Sequence, residues 1–347
     1  MLARAFKGVK KKKTTAATTT TTTMGGTESS SIKSKTSSMY DHQEAEFIAG
    51  LMGDLPITFC EGSGSGYPFK ITRHWIGYLC LREVMRASVQ VMGESKWGIS
   101  EKVVLLDGRM FATKKFRSVS VCRKLFGKRV EKLAQMGKGC DNLVQIRAYL
   151  YAKRIKVVLC DYHPMGSLAD LLDGAREMGH TPLSWDQRLR IIRDAARAIS
   201  YIHSQAPLQE KGLQLNVHGN IKTSNVIVRT NFSACLSEYG FVQLAEPTEP
   251  LTQPEKLAQK NDIYGFGVMV LDMLGGPRAP FEISCIVKRK DEISEGVLGF
   301  FEFFVEGRER KQALRVLDLA LACTNKFGEA RPSIEYVLLL LGDLYSG

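Results

Sequence analysis

The sequence predicts an α+β protein in which a strand-rich first part precedes a larger helical part. Val84 to Ala112 shows strand-like alternation broken by glycines, and Asp107-Gly108 is a turn signal between two strands. Further along, Ser184 stands at the N-cap of a segment whose apolar residues recur at helical spacing: Leu189, Ile192, Ala196, Ile199 and Ile202. A chain of 347 residues is long enough to build both parts with a core in each.

The remaining elements follow from the same local signals. The pattern predicts strands at Asn142-Leu143-Val144 and at Ile155 to Leu159, and helices at Arg123 to Met136, from Leu168, at Ala313 to Cys323 and at Ile334 to Leu344. Ser167 and Ser333 precede two of these helices, where a hydroxyl side chain can cap the free backbone N–H groups.

Composition narrows the classes of protein. The formal net charge is +12, which favours acidic partners or an anionic membrane surface. Part of the excess lies in an N-terminal tail, so we predict no nucleic-acid groove. The 8 cysteines include no Cys-x-x-Cys pair and no metal-ligand spacing, which is typical of reduced thiols in a cytoplasmic protein. No apolar run reaches the ~20 residues that span a bilayer.

Residues 1–65 are of low complexity. Lys10 to Lys13 precede a Thr/Ala tract that ends at Thr23, and such a segment has too little apolar surface to order itself. We predict a disordered basic tail that ends in a Gly/Ser linker at Gly62 to Gly66. An organelle transit peptide is the alternative, because the tail is rich in hydroxyl residues and poor in acids. If translation began at Met24, Met-Gly-x-x-x-Ser would permit myristoylation.

The stretch Val217 to Val228 is a polar loop followed by a short apolar strand. It resembles the catalytic loop of protein kinases, His-Arg-Asp-Leu-Lys-x-x-Asn, with His218, Lys222 and Asn225 in register. Asn220 stands where that pattern has the Asp that accepts the proton of the substrate hydroxyl. An amide cannot take up a proton near neutral pH. The resemblance therefore implies a catalytic site at Asn220 and Lys222 that has lost its base.

A second motif, Val91 to Ser100, resembles the glycine-rich loop of kinases, Gly-x-Gly-x-x-Gly-x-Val, which covers the nucleotide phosphates. Gly93 and Gly98 match its outer glycines and are candidate nucleotide-binding residues. Ser95 replaces the middle glycine, and its Cβ restricts close backbone approach. Ser100 replaces the valine and removes the branched apolar group of that position.

A lysine and two candidate metal ligands complete the resemblance. Lys114 follows Phe-Ala-Thr as the phosphate-binding lysine does in kinases, and the resemblance pairs it with Glu131 of the next helix. Glu238, in Glu-Tyr-Gly, takes the place of the metal-binding Asp of Asp-Phe-Gly, with a carboxylate about 1.5 Å further out. Asn225 keeps an amide oxygen for nucleotide or metal. Mg²⁺ demands close to ideal geometry, so the longer side chain at Glu238 weakens a metal site.

Three further residues match scaffold positions of the same family: Glu255 of Gln-Pro-Glu, Asp262 of Lys-Asn-Asp-Ile-Tyr, and Arg331 of Arg-Pro-Ser. The resemblance implies a Glu255–Arg331 pair and a capping role for Asp262 beneath the catalytic loop. The hinge-like stretch Asp161-Tyr162-His163-Pro164-Met165-Gly166-Ser167-Leu168 is similar to that of plant receptor-like kinases.

Together these motifs resemble the kinase domain of plant leucine-rich-repeat receptor-like protein kinases over Val84 to Leu344. The resemblance implies a two-lobed protein-kinase-like fold over residues 66–345, with a small β-rich N-lobe at about 80–160 and a larger helical C-lobe at about 165–345. The sequence shows neither the ectodomain nor the membrane span of those receptors, so we expect a cytoplasmic protein. It would be peripheral at the plasma membrane if the tail binds anionic lipid.

The function expected from the resemblance is that of a pseudokinase. It would act as a scaffold or allosteric partner of other protein kinases or receptor complexes, and ATP is its candidate ligand, with Mg²⁺ or Mn²⁺ left open. Two alternatives stand beside it. One is an active atypical Ser/Thr kinase that transfers the γ-phosphate of ATP to protein hydroxyls; the other is a nucleotide sensor without turnover.

Overall fold

The strands of the first part form one antiparallel sheet. The computed structural model describes residues 57–60, 81–206, 213–245, 257–275 and 282–346. The six strands lie in the order β1-β5-β6-β4-β3-β2. They are β1 (Thr58–Phe59), β2 (Ser88–Ser95), β3 (Gly98–Val104), β4 (Met110–Phe116), β5 (Ile146–Tyr151) and β6 (Lys156–Asp161). The turn predicted at Asp107-Gly108 joins β3 to β4, and the Asp107 side chain accepts the backbone N–H of Arg109.

Two helices accompany the sheet, α1 (Leu81–Arg86) and α2 (Arg123–Lys138). One side of α2 is apolar, and Phe126, Val130 and Leu133 bury that side fully. We call the sheet with α1 and α2 the N-lobe. The helix predicted at Arg123 to Met136 is confirmed as α2.

Three local predictions in this part are wrong. Residues 57–60, assigned to the tail, lie in the sheet because Ile57 and Cys60 are buried against it and β1 pairs with β5. Val84 lies in helix α1 rather than in a strand. Asn142-Leu143-Val144 forms no strand; Leu143 makes a single parallel bridge to Leu236, and the strand begins at Ile146.

The second part, which we call the C-lobe, is mainly helical. Its helices are α3 (Leu168–Glu177), α4 (Trp185–His203), α5 (Gln259–Leu274), α6 (Ile283–Lys288), α7 (Lys290–Glu295), α8 (Gly307–Cys323) and α9 (Ile334–Ser346). A two-stranded ribbon joins them, β7 (Val226–Val228) with β8 (Ala234–Leu236). The α+β class and the two-lobed arrangement are therefore confirmed.

Capping signals place the helix starts correctly in three cases. Ser167 and Ser184 each close a capping box at the start of α3 and α4. Ser333 accepts the backbone N–H of Tyr336 before α9. The apolar residues that predicted α4 by their helical spacing are all buried in the C-lobe core. Helix α8 begins at Gly307, six residues before the predicted Ala313. The prediction missed its first turns because they are polar and exposed and carry no apolar periodicity.

Within the described residues no helix combines the length and the apolar content that a membrane span requires.

Candidate functional site

A cleft lies where the N-lobe sheet meets the start of the C-lobe. It is lined by the β2–β3 hairpin, the inner face of β4, the segment after β6, the 218–225 loop and the segment after β8. Its free volume is about 170 Å³, which is below the ~300 Å³ at the lower end of small-molecule pockets.

Lys114 lies at the back of the cleft and is almost fully buried. Its Nζ lies 2.7 Å from Glu238 Oε1, and it donates to Ser100 Oγ at 3.1 Å and to Ser95 Oγ at 3.2 Å. An ammonium group has three N–H donors, so these partners use all of them. The register explains one partner, since Ser100 on β3 lies directly opposite Lys114 on β4.

The predicted Lys114–Glu131 pair is wrong for this structure. Glu131 is exposed on α2 and accepts the Tyr149 hydroxyl at 2.9 Å. The place of Glu131 beside the lysine is taken by Glu238, whose side chain is one methylene longer than Asp and reaches the ammonium across the cleft. Glu131 thus lies outside the group of residues that meet at Lys114.

Glu238 joins the catalytic loop to the lysine. Its Oε1 also accepts the Ser100 hydroxyl at 3.1 Å, and its Oε2 accepts the amide of Asn220 at 3.3 Å. The backbone of Glu238 has φ of 61°, a left-handed conformation that is strained for a residue with a Cβ. Such strain persists only where the surrounding contacts fix it. Here three side chains hold the carboxylate in place.

The loop that carries Asn220 is fixed by hydrogen bonds. Asp262, at the start of α5, is buried and accepts the backbone N–H groups of His218 and Gly219, both at 2.8 Å. His203 Nε2 lies 3.1 Å from the same carboxylate. Asn225 donates from Nδ2 to the carbonyl of Asn220 at 2.8 Å. These hydrogen bonds therefore fix the loop, whose Asn225 lines the cleft.

The structure gives a different reason for glycine at each of the predicted positions. At Gly98 φ is 154°, and an added Cβ would lie 2.1 Å from the carbonyl oxygen of Lys115 on β4. At Gly93 an added Cβ would meet nothing within 4 Å. At Gly219 φ is 82° and a Cβ would contact Val242 and Leu257, which excludes the Arg of the kinase pattern from this backbone.

Burial and neighbouring cations shift the pKa values of two loop residues. Burial lowers the pKa of His218, whose Nδ1 accepts the backbone N–H of Asn220. Burial also lowers the pKa of Lys222; Glu238 opposes this shift, while Lys114 and Lys96 add to it. Lys222 lines the cleft, as Lys114 does.

These residues fit an anionic phosphate chain better than a divalent cation. Both oxygens of Glu238 already accept hydrogen bonds or an ion pair, and the other predicted ligand, Asn225, supplies only a neutral amide. Mg²⁺ seeks free carboxylate oxygens in octahedral geometry. No group of three His, Cys, Asp or Glu side chains that could hold a metal is present in the described ranges.

Of the predicted scaffold residues, Arg331 donates to the carbonyls of Asn325 at 2.9 Å and Lys260 at 2.8 Å and stacks on Tyr264. The predicted partner Glu255, with most of the segment after Phe241, lies outside the described residues. The hydroxyls of Ser95 and Ser100 were not predicted to hold Lys114. For Ser100 the sequence held a signal, because a hairpin of two adjacent strands brings it opposite Lys114.

Comparisons with known proteins concern the family and the fold of the chain. Residues 112–341 match the family model described as "Protein tyrosine and serine/threonine kinase". A "probable inactive receptor kinase" of Arabidopsis thaliana is 32% identical over 292 residues, which cover 77% of this chain and 43% of that protein. The chain thus spans less than half the length of this curated relative.

Two solved structures share the fold. A pseudokinase domain of BIR2, described as an immune regulator of the RLK/Pelle family, superposes with a TM-score of 0.69 at 20% identity and covers 87% of this chain and 93% of that one. The kinase domain of maize SIRK1, a sucrose-induced receptor kinase bound to AMP-PNP, gives 0.64 at 24% identity over 83% and 99%. At these identities the likeness shows the fold alone.

Proposed function

The chain belongs to the protein tyrosine and serine/threonine kinase family, and from that premise we propose that it is a pseudokinase, a scaffold or allosteric partner in receptor-like kinase signalling. The observation that carries the proposal is the contact between Asn220 and Glu238. The residue at the position of the proton acceptor donates a hydrogen bond to the residue at the position of the metal ligand. Neither group is free for its part in phosphoryl transfer.

The loss of activity follows from the chemistry of these groups. A missing general base costs about 10²- to 10⁴-fold in rate. A metal carboxylate that is bound to Lys114 adds to the loss, because the metal would have to displace a buried ion pair. The scaffold contacts of the loop, above all those of Asp262, remain. Such a protein keeps a surface that partners can recognise without turning over a substrate.

The test is transfer of labelled phosphate from ATP to the protein itself and to a generic protein substrate, with Lys114→Met as the reference. We expect equal, background transfer from both proteins. Transfer well above the Lys114→Met level would overturn the proposal in favour of an active atypical Ser/Thr kinase. Asn220→Asp combined with Glu238→Asp is the matched gain-of-function variant and should raise transfer, because it supplies a base and a shorter metal carboxylate together.

Nucleotide binding without turnover is the second function that the cleft supports. Lys114 and Lys222 line the cleft, and a protein of the same fold was solved with AMP-PNP bound. These lysines would bind the phosphates of ATP. The nucleotide would then act as a bound ligand and not as a phosphoryl donor. A thermal shift with millimolar ATP tests this function, and the absence of any shift would contradict it.

Partners and location follow from the relatives and from charge. We infer that the protein meets other receptor-like kinases at the cytoplasmic face of the plasma membrane, since the curated relative is named a receptor kinase. Lys10 to Lys13 would add attraction to anionic lipid. Co-sedimentation of the full chain with phosphatidylserine vesicles, compared with a variant carrying Gln at these four positions, tests the second point. Equal sedimentation would contradict it.

A further inference from the structure

Residues 57–60 extend one edge of the N-lobe sheet, and we call them the strap. Strand β1 within the strap runs antiparallel to β5, with Thr58 directly opposite Tyr149. The backbone N–H of Cys60 continues this pairing and donates to the carbonyl of Arg147 at 2.9 Å. So short a strand has no stability of its own, and its place depends on what it contacts.

Two buried side chains anchor the strap. Ile57 and Cys60 are both almost fully buried, and their spacing of three positions directs them to opposite faces of the sheet. Ile57 packs in the apolar cluster that contains Leu150 of β5. Cys60 packs in the main core, which contains Val130 of α2. The strap is therefore part of both apolar clusters of the N-lobe.

The strap also contacts the charged side of α2. Lys138, the last residue of that helix, donates from Nζ to the carbonyl of Cys60 at 3.3 Å. Tyr149, the partner of Thr58 in the sheet, donates its hydroxyl to Glu131 Oε1 at 2.9 Å. Burial and the Glu131 carboxylate raise the pKa of both Cys60 and Tyr149 to about 12, which agrees with a carboxylate that lies beside the strap.

The side chain of Tyr149 lies along α2. Its ring centre is 6.0 Å from that of Phe126, in an edge-to-face arrangement. At Gly127 an added Cβ would collide with the Tyr149 hydroxyl. The helix surface thus leaves room for this hydroxyl, which reaches Glu131 one turn further along α2.

The register of the sheet sets the distance between Glu131 and the cleft. Lys114 on β4 lies opposite Val158 on β6, and Val158 lies opposite Tyr149 on β5. Lys114 and Tyr149 therefore point to the same face, two strands apart, which is about 10 Å. Helix α2 packs on this face. A turn of the helix across the row would carry the Glu131 carboxylate from Tyr149 towards Lys114.

We propose that the strap is a conformational switch for α2. When the strap is docked, α2 holds Glu131 at the edge of the sheet, and Lys114 pairs with Glu238. When the strap leaves, α2 loses the acceptor of Lys138 and Glu131 competes with Glu238 for Lys114. The switch goes beyond the scaffold function proposed above, because it provides two states of the N-lobe surface between which a partner can discriminate.

The size of the strap suits this role. Segments with few buried contacts open at a small fraction of the free energy of global unfolding. The strap has only two buried side chains, and it directly follows residues 1–56, so a ligand or partner that binds this preceding part of the chain can bias the docking of the strap.

Hydrogen exchange of the full chain, followed by mass spectrometry, tests whether the strap holds α2. Ile57→Glu places a charge in a buried position and should release the strap. The amides of β5 and of the last two turns of α2 should then exchange at least about tenfold faster. Val89→Glu is the matched control, since Val89 is an exposed apolar residue on the opposite edge strand, and its exchange should equal that of the unchanged protein. Unchanged exchange in Ile57→Glu would overturn the proposal.

A double-mutant cycle follows the carboxylate itself. Glu131→Gln and Lys114→Met, singly and together, give a coupling factor in the unfolding equilibrium constant measured with urea. In the unchanged chain we expect a factor within about twofold, because Glu131 contacts Tyr149 and not Lys114. In the Ile57→Glu background we expect about fivefold. A factor within twofold in both backgrounds would show that the strap does not control the choice between the two carboxylates.

A second variant covers the case in which Ile57→Glu accelerates exchange throughout the chain, as a protein that fails to fold would. Tyr149→Phe removes only the hydroxyl that holds Glu131 and keeps the aromatic ring in place. The same cycle in this background should then give a factor of about fivefold, and a factor within twofold would overturn the switch. The phosphate-transfer assay on the unchanged chain tests the pseudokinase proposal separately, so either proposal can fail alone.

Discussion

Asn220 and Glu238 are in contact on the C-lobe side of Lys114, and the amide of one complements the carboxylate of the other. The amide donates to Oε2 of Glu238, while Lys114 and Ser100 satisfy Oε1. With Asp at position 220, two carboxylates would face each other at about the same separation, and their like charges would repel. The two departures from the kinase pattern are therefore linked by one local electrostatic requirement.

This link predicts the effect of restoring the base alone. Asn220→Asp removes the donor to Glu238 Oε2 and adds a like charge, so the free energy of unfolding should fall by about 1 to 3 kcal/mol at pH 8. The loss should shrink at pH 5, where one carboxyl is protonated. It should also shrink in the double variant with Glu238→Asp, whose shorter side chain withdraws. Urea unfolding at both pH values measures it; equal stability of the single variant and the unchanged protein at pH 8 would contradict the contact.

His218 predicts a pH dependence of stability. Burial holds its pKa below the ordinary value, and protonation of Nδ1 would break the hydrogen bond from the Asn220 backbone. As pH falls below about 6.5, the unfolded chain takes up a proton that the folded chain refuses, so stability falls. The slope from this one residue is at most about 1.4 kcal/mol per pH unit.

Comparison with His218→Gln isolates this contribution, because the other histidines are unchanged in both proteins. The variant should lose less stability than the parent between pH 7 and pH 5.5 in urea unfolding. Parallel stability curves for the two proteins over this range would show that His218 carries no such linkage.

At the scale of elements, the β2–β3 hairpin explains why the glycine pattern is partly retained. Gly98 is required by the close approach of β3 to β4, which is a condition of the sheet and holds whether or not phosphate binds. Gly93 faces open space. Ser95 closes the hairpin turn, since its hydroxyl donates to the Gly98 carbonyl and accepts the Trp97 N–H. The hairpin is thus stable as a strand pair without a ligand beneath it.

Replacement of the two glycines by alanine should therefore change the free energy of unfolding by very different amounts. Gly98→Ala places a Cβ against the Lys115 carbonyl at a positive φ, and should lower the free energy of unfolding by about 2 kcal/mol or more. Gly93→Ala should change it by less than about 0.5 kcal/mol. Thermal and urea unfolding of both variants measures the difference. A similar loss from both would mean that the glycines serve another purpose.

Element assignments from sequence held where a local signal existed. The capping boxes of α3 and α4 depend on residues three positions apart, so the sequence contains the whole interaction. The Asn142 to Val144 segment is as apolar as a strand, but its backbone pairs only at Leu143, with a residue some ninety positions away. The strand at Thr58–Phe59 likewise exists only through β5. Such pairings leave no local trace.

At the scale of the whole molecule, a few polar contacts join the lobes around the cleft. Lys114 and Ser100 of the N-lobe meet Glu238 of the C-lobe. Arg129 on α2 is buried and donates to the carbonyl of Gln243 at 2.7 Å. In a catalytic kinase the Lys–Glu pair would tie α2 to the lysine; here α2 is tied through Arg129 to the segment after Glu238.

A double-mutant cycle measures the strength of this connection. Lys114→Met and Glu238→Gln, singly and together, should give a coupling energy of at least about 1 kcal/mol, because the pair is largely removed from water. The control cycle uses the exposed pair Arg289 and Glu292, where solvent screens the two charges and the coupling should be clearly smaller. Equal coupling in the two cycles would show that the pair between the lobes contributes little.

The sequence by itself determined the family, the α+β class and the substitution of the catalytic base, because motifs in the correct order and the chemistry of an amide can be identified without coordinates. Only the tertiary structure decided which carboxylate pairs with Lys114. That choice depends on the distance between side chains more than a hundred positions apart, since Lys114 lies 2.7 Å from Glu238 Oε1 while Glu131 accepts the Tyr149 hydroxyl.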